Sequence, residues 1–315
     1  MHVISCSNSR TLAESISAEL AKEDSCALIN HGLIENKITH FSANEQLVFF
    51  DDDLSNITDC LVVVSFFPNA NDALIESLLT LDILKRSNKK INLFISYLGY
   101  SRQNRLLQPN ASFGIKVLSR IINPLIKEAG VDKIFFLDLH APSILEYFPN
   151  AYNITLEEFF FQEIKKNKTY TNQQNVIIIS PDKGSEIRAK NLAALLDVPY
   201  IVLQKQRKEN EIEMQMSSNI NLSNKKCIII DDIIDSGKTI NKASALLRQF
   251  GALEVYAYCT YCFTSDLKTI QNFNLTKLYI TDSIKNPVID NHTSLHNIEK
   301  LDASSFISQK FKKLF

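Results

Sequence analysis

Short apolar runs punctuate this chain at residues 3–5, 60–65, 91–95, 133–137, 175–179, 200–203, 227–230, 254–258 and 277–280. The sequence between them is patterned for helices. Apolar residues recur at helix spacing over 11–20, 71–84, 113–128, 185–196 and 239–250, the first after a Ser/Asn cluster suited to capping it. Strands this short, separated by helices this long, pair in parallel through right-handed crossovers. The alternation runs once to about residue 153 and again beyond it. The expected architecture is therefore α/β, with two domains at 1–153 and 154–315, each a mostly parallel sheet flanked by helices. A length of 315 residues agrees with two domains of about 150.

Charge and hydropathy then exclude several functions. The formal net charge is -1, so no global field draws nucleic acid or anionic lipid, and any anion site is local. Apolar runs are strand-sized, which argues against a membrane span, and the N-terminus has no signal-peptide core. The closing basic stretch 310–313 reads as an exposed helix end, and the polar stretch 165–174 as a solvated loop. Cysteines 6, 26, 60, 227, 259 and 262 sit among apolar neighbours, and only Cys259 and Cys262 have CxxC spacing. With no second pair to complete a zinc site, they read as reduced thiols of a cytoplasmic protein.

The sharpest chemistry lies at 227–239, Cys-Ile-Ile-Ile-Asp-Asp-Ile-Ile-Asp-Ser-Gly-Lys-Thr. A buried strand runs into Asp231 and Asp232, then into a turn, Asp235, Ser236, Gly237, Lys238 and Thr239, and a helix. Ligands of doubly wound sheets bind at the carboxyl edge of the strands. There the turn presents backbone amides, two hydroxyls and a helix N-terminus, all suited to a phosphate. Asp231 and Asp232 suit sugar hydroxyls or a magnesium-bound substrate. Gly-Lys-Thr alone is not a nucleotide P-loop, because Asp232 stands where that motif needs glycine.

This segment resembles the phosphoribosyl-diphosphate signature of phosphoribosyltransferases and ribose-phosphate pyrophosphokinases, and further stretches favour the second family. Residues 99–105, Gly-Tyr-Ser-Arg-Gln-Asn-Arg, resemble its ATP-contacting loop; 138–141, Asp-Leu-His-Ala, its metal and ATP motif. Residues 180–184, Ser-Pro-Asp-Lys-Gly, resemble its diphosphate loop, and 205–208, Lys-Gln-Arg-Lys, the start of its mobile catalytic loop. Residues 41–45, Phe-Ser-Ala-Asn-Glu, match less closely the hairpin that lends ATP contacts to a neighbouring subunit.

The resemblance implies an enzyme that moves diphosphate from ATP to ribose 5-phosphate, in a homo-oligomer that is often hexameric. It implies ATP contacts from Phe41, Glu45, Arg102, Gln103, Arg105 and His140, and Mg2+ held by His140 and Asp182. Asp182, Lys183, Gly184 and Ser185 form the diphosphate loop, while Asp231, Asp232 and 235–239 take ribose 5-phosphate. Lys205 and Arg207 are the catalytic cations, on a lid whose residues 209–218 read as strandless. Such chemistry asks for positioning and charge neutralisation rather than a protein nucleophile.

The chain departs from the family pattern in places. Ala43 and Asn44 replace the usual Asp-Gly of the hairpin, Leu106, Leu107 and Asn110 replace charged residues, Ser185 replaces a second glycine, and Lys238 stands where a small residue is common. A catalytically silent relative with a regulatory or partner-binding role, and a phosphoribosyltransferase, are the alternative readings.

Overall fold

The computed structural model describes residues 1–23, 33–86, 89–106, 108–167, 175–208, 211–216, 220–264, 266, 273–291 and 297–314. Two compact units emerge, the first spanning Met1–Thr155 with Ser283–Lys285 and Ala303–Phe315, the second Leu156–Asp282 with Asn286–Asp302.

In the first unit, β1 (His2–Ser5), β2 (Leu33–Glu35), β5 (Asp59–Ser65), β6 (Lys90–Tyr97), β7 (Val131–Leu137) and β8 (Ala151–Ile154) form a six-stranded sheet in the order β2-β1-β5-β6-β7-β8. All of its pairings are parallel. A parallel sheet is covered on both faces, which explains the unbroken apolar run of β5, buried from Cys60 onward. Helices α1 (Arg10–Glu23), α2 (Ala70–Arg86) and α3 (Gly114–Glu128) make the crossovers. In α2, Asp72 in the first turn and Lys85 and Arg86 in the last complement the helix dipole. A separate antiparallel hairpin joins β3 (Lys37–His40) to β4 (Gln46–Phe49).

The second unit repeats the plan. Its strands are β9 (Val176–Ser180), β10 (Tyr200–Val202), β13 (Lys226–Ile234), β14 (Glu254–Cys262), β15 (Lys277–Thr281) and β16 (Ile298–Leu301), in the order β10-β9-β13-β14-β15-β16. This sheet too is wholly parallel. Helices α4 (Glu157–Lys166), α5 (Glu186–Leu196) and α6 (Lys238–Gln249) belong to it, with a second hairpin of β11 (Gln204–Lys208) and β12 (Glu211–Gln215). Ile177, Ile179, Cys227, Ile229, Val255 and Ala257 interlock in its core.

The C-terminal helix Ser304–Leu314 departs from the expected contiguous division at 153. It packs in the first unit, where fully buried Phe311 meets Phe94 and Phe135 edge-on, with ring centroids 5.1 and 5.0 Å apart. Lys165 and Lys166, expected in a loop, end α4; residues 168–174 of that stretch lie outside the described residues. Among the described residues, no helix is long and apolar enough to cross a membrane. Cys6, Cys60, Cys227, Cys259 and Cys262 are free and buried, and burial pushes the Cys60 and Cys227 thiols up to about 12. Cys26 lies outside the described residues.

Candidate functional site

In the second unit, β13 outruns its neighbour. Its pairing with β9 ends at Ile229, while its pairing with β14 continues to Ile234. Asp231 and Asp232 therefore lie where the β9 side of the strand has no further backbone partner in that sheet. The turn after β9 approaches this edge. Asp182 starts a 3-10 turn, Lys183–Ser185, by accepting the Gly184 amide at 2.9 Å, and Ser180 Oγ donates to the Asp182 carbonyl at 2.6 Å. Lys183 and Gly184 are exposed, Asp182 is half-buried and Ser185 is buried. The Ser185 hydroxyl donates to Asp231 Oδ1, and the same oxygen accepts the Asp232 amide at 3.0 Å.

Beyond β13 the chain passes through exposed Asp235 and Ser236 to Gly237, whose φ of +70° lies in the left-handed region that glycine enters at no steric cost. Gly237 caps α6 and accepts the Asn241 amide at 2.9 Å. The first-turn amides of α6 lack intrahelical partners and sit at the positive end of its dipole, an arrangement suited to an anion. Lys238 is exposed at the first helical position and Thr239 is half-buried.

Electrostatics set the two acids apart. Burial, then the Asp232 charge, push the Asp231 carboxyl well above the usual range, with the Ser185 hydroxyl opposing and Asp182 adding to the rise. Asp232 has a countercharge in Arg188, whose terminal nitrogen lies 4.0 Å from Oδ2, both side chains being nearly buried. Arg188 escapes a sequence reading because it looks like any polar residue of an amphipathic helix; the need of an acid pair for a cation was the available signal. Among the described residues, no group of three or more His, Cys, Asp and Glu side chains is arranged to hold a metal ion. The crowding of Asp182, Asp231 and Asp232 nonetheless suits a cation that keeps its waters and rides on substrate phosphates, as magnesium does.

Within the first unit, loops at the carboxyl edge of the sheet carry the stretches expected to contact a nucleotide. Gly99 is forced by close approach, because a Cβ there would stand 2.9 Å from Ala70 Cβ and 3.0 Å from the Phe66 ring. Tyr100 follows at φ +62°, strained for an aromatic residue, and its hydroxyl donates to Asn71 Oδ1. Arg102 and Arg105 are exposed. Gln103 instead serves the start of α3: its side-chain oxygen accepts from Ser112 Oγ at 3.3 Å, and its carbonyl accepts the Ile115 amide at 3.3 Å. After β7, Asp138 is buried at φ +41°, its amide held by the Ile154 carbonyl at 2.8 Å, and His140 is half-buried. On the β3–β4 hairpin, Phe41 and Glu45 are exposed, the Phe41 amide donating to the Glu45 carbonyl at 3.0 Å.

Lys205 and Arg207 occupy alternate positions of β11, opposite Met214 and Ile212 of β12. The strandless lid expected over 209–218 is thus corrected, because 211–215 is a strand. Ile212 and Met214 alternate with Glu211, Glu213 and Gln215, a two-residue period masked by overall polarity. Residues 209–210 and 217–219 lie outside the described residues.

A counterpart of the 182–185 turn exists after β1, where the 3-10 turn Ser7–Ser9 leads into α1. The protein fills it itself. Buried Glu76 of α2 accepts the Ser7 amide at 2.6 Å, Ser7 Oγ at 2.7 Å and Asn36 Nδ2 at 2.9 Å.

Comparison with known proteins decides the lineage. Residues 1–130 match the family described as N-terminal domain of ribose phosphate pyrophosphokinase, and residues 154–286 match the one described as Phosphoribosyl transferase domain. The ribose-phosphate pyrophosphokinase of Bacillus subtilis (strain 168) is 33% identical over 272 residues, covering 85% of this chain and 83% of that protein. The chain belongs to the ribose-phosphate pyrophosphokinase family. The ribose-phosphate pyrophosphokinase of Agrobacterium fabrum (strain C58) is 32% identical over 319 residues, covering 99% of this chain and 96% of its own length. The crystal structure of phosphoribosylpyrophosphate synthetase from Mycobacterium smegmatis shares the fold, with a TM-score of 0.82 at 23% identity and coverage of 100% and 98%.

As a ribose-phosphate pyrophosphokinase family member, the chain accommodates two of its sequence departures readily. Asn44 sits at φ +62°, and asparagine is among the few residues that tolerate the left-handed region glycine favours. Lys238 is exposed, so its bulk does not fill the turn.

Proposed function

We propose that this enzyme transfers the diphosphate of ATP to the anomeric hydroxyl of ribose 5-phosphate, releasing AMP and phosphoribosyl diphosphate. The observation that carries the reading is the acid pair on β13 running into a left-handed glycine and an open helix N-terminus, in a chain of this family.

The 5-phosphate of the sugar rests on residues 235–239, where backbone amides and the Ser236 and Thr239 hydroxyls donate to it. Asp231 and Asp232 accept from the ribose hydroxyls. Lys183, Gly184 and the start of α5 receive the diphosphate. Arg102 and Arg105 grip phosphate oxygens of ATP, as guanidinium forks do, and Phe41 stacks on the base. Lys205 and Arg207 stabilise the charge that develops on the transferring group. Asp182 would help hold magnesium beside Asp231 and Asp232, and His140 is the magnesium candidate of the first unit; the ion when bound offsets the phosphate charges that otherwise repel the two substrates. No side chain bonds covalently to the substrate in this scheme.

We further assign the enzyme to the cytoplasm, in keeping with its free, buried thiols, and to a homo-oligomer in which the Phe41 hairpin serves a neighbour. Sedimentation velocity tests the assembly. The activity itself is tested by incubating the protein with Mg2+, ATP and ribose 5-phosphate and resolving products by ion-exchange chromatography. Formation of AMP and phosphoribosyl diphosphate in equal amounts is expected. Turnover only when ATP is replaced by phosphoribosyl diphosphate and a free base would instead mark a phosphoribosyltransferase. Ala43, which lacks the carboxylate usual in the hairpin, favours a silent relative as the second reading; binding of both substrates without turnover is its signature.

A further inference from the structure

Ser185 stands where a second glycine is usual in the family, and its side chain has a definite task. It is the N-cap residue of α5, a position where serine ordinarily accepts a backbone amide, yet its side chain makes no capping hydrogen bond. The hydroxyl is spent instead on Asp231 Oδ1, across from the neighbouring strand. Both partners are buried, Ser185 at 3% and Asp231 at 9% exposure. Oδ1 is then held from two sides, by Ser185 and by the Asp232 amide, neither of which takes up Oδ2, while the Asp232 side chain also interacts with the carboxyl. The groups around this contact are Asp232 with Arg188, Asp182, and Cys259 facing Asp231 in register on β14.

We infer that Ser185 is a positioning residue for the sugar: its hydroxyl orients Asp231 toward the ribose hydroxyls and latches that acid to the diphosphate loop. This deepens, and rests on, the ribose 5-phosphate reading of the turn. The same three-residue turn that carries Lys183 and Gly184 is thereby tied by one hydrogen bond to the acid of the sugar site. A glycine at 185 can shape the turn but cannot supply this donor.

Steady-state kinetics of Ser185→Ala and Ser185→Gly test it, with circular dichroism to confirm native folding. Where sugar binding depends on the orientation this bond holds, releasing it weakens that binding by up to the fold-change a hydrogen bond to a charged group corresponds to, about tenfold. The expected result is a rise of about tenfold in KM for ribose 5-phosphate, with KM for ATP and kcat changed less than about threefold. A role confined to shaping the loop raises both KM values together; that result, a rise for ATP alone, or no rise at all, overturns the inference. If the unsubstituted enzyme shows no turnover, the parent reading fails by itself. Calorimetric titration of ribose 5-phosphate into wild type and Ser185→Ala then decides the latch: weaker sugar binding by the variant upholds it, and equal or absent binding ends it.

Discussion

Replacing Asp231 by Asn separates what this residue does for the substrate from what it costs the fold. Its carboxyl is buried beside Asp232 and influenced by Asp182, which together hold it well above the usual range. An acid whose folded value exceeds its unfolded one binds more protons folded than unfolded. Its stability contribution is full below about pH 4 and is lost as pH climbs toward the folded value. Asparagine has no charge to bury and escapes that loss, while Asp232 keeps its Arg188 countercharge. Relief of a destabilising functional carboxylate is worth about 1–2 kcal/mol. That corresponds to an unfolding midpoint roughly 2–8 °C higher at pH 7.5, in a domain of this size. The same change removes a charged acceptor from the sugar hydroxyls and raises KM for ribose 5-phosphate about 10–100-fold. Thermal unfolding followed by circular dichroism from pH 4 to 8, paired with initial rates, reads both effects. The gap in midpoint should open with rising pH. A variant less stable than wild type at pH 7.5, or a gap independent of pH, refutes the reasoning.

Four further outcomes are expected. Phe311→Ala removes a fully buried ring that touches Phe94 and Phe135, and urea unfolding should show a loss of about 3–5 kcal/mol. Glu76→Gln keeps an acceptor for the Ser7 and Asn36 amides but sets an NH2 group against the Ser7 hydroxyl and takes the charge from all three bonds, costing about 1–2 kcal/mol by guanidinium titration. Asn44→Val forces a β-branched residue to φ +62° at about 1–2 kcal/mol and should raise KM for ATP, whereas Asn44→Gly should leave it unchanged. Lys205→Ala should lower kcat by about two orders of magnitude or more with an unaltered circular dichroism spectrum.

The central strands were legible because a parallel sheet buried on both faces leaves no room for polar alternation, as β5 and β13 demonstrate. The short strands β2, β8 and β16 were not, because Glu35, Asn153, Glu299 and Lys300 break their apolar runs. The destination of the C-terminal helix was hidden for another reason. Nothing near Phe311 in the sequence announces that its partners are Phe94 and Phe135. At the site, the strand-acid-turn order of 227–239 was plain, since backbone amides at a helix start need only a glycine and small polar residues. The Ser185–Asp231 bond and the Arg188 countercharge depend on two neighbouring strands ending at different heights, a tertiary fact with no local signature.

Both sheets follow one strand order, 2-1-3-4-5-6 when each is counted from its own first strand. The two units differ in what their first turn holds. After β9 the turn spends its Gly184 amide on Asp182 and its Ser185 hydroxyl on Asp231; after β1 the Ser7 amide and hydroxyl are both taken by Glu76 of a neighbouring helix. A turn whose Ser7 donors are already spent on Glu76 offers neither of them to an outside anion, so an anion arriving at that edge of the first sheet has to be held by other loops.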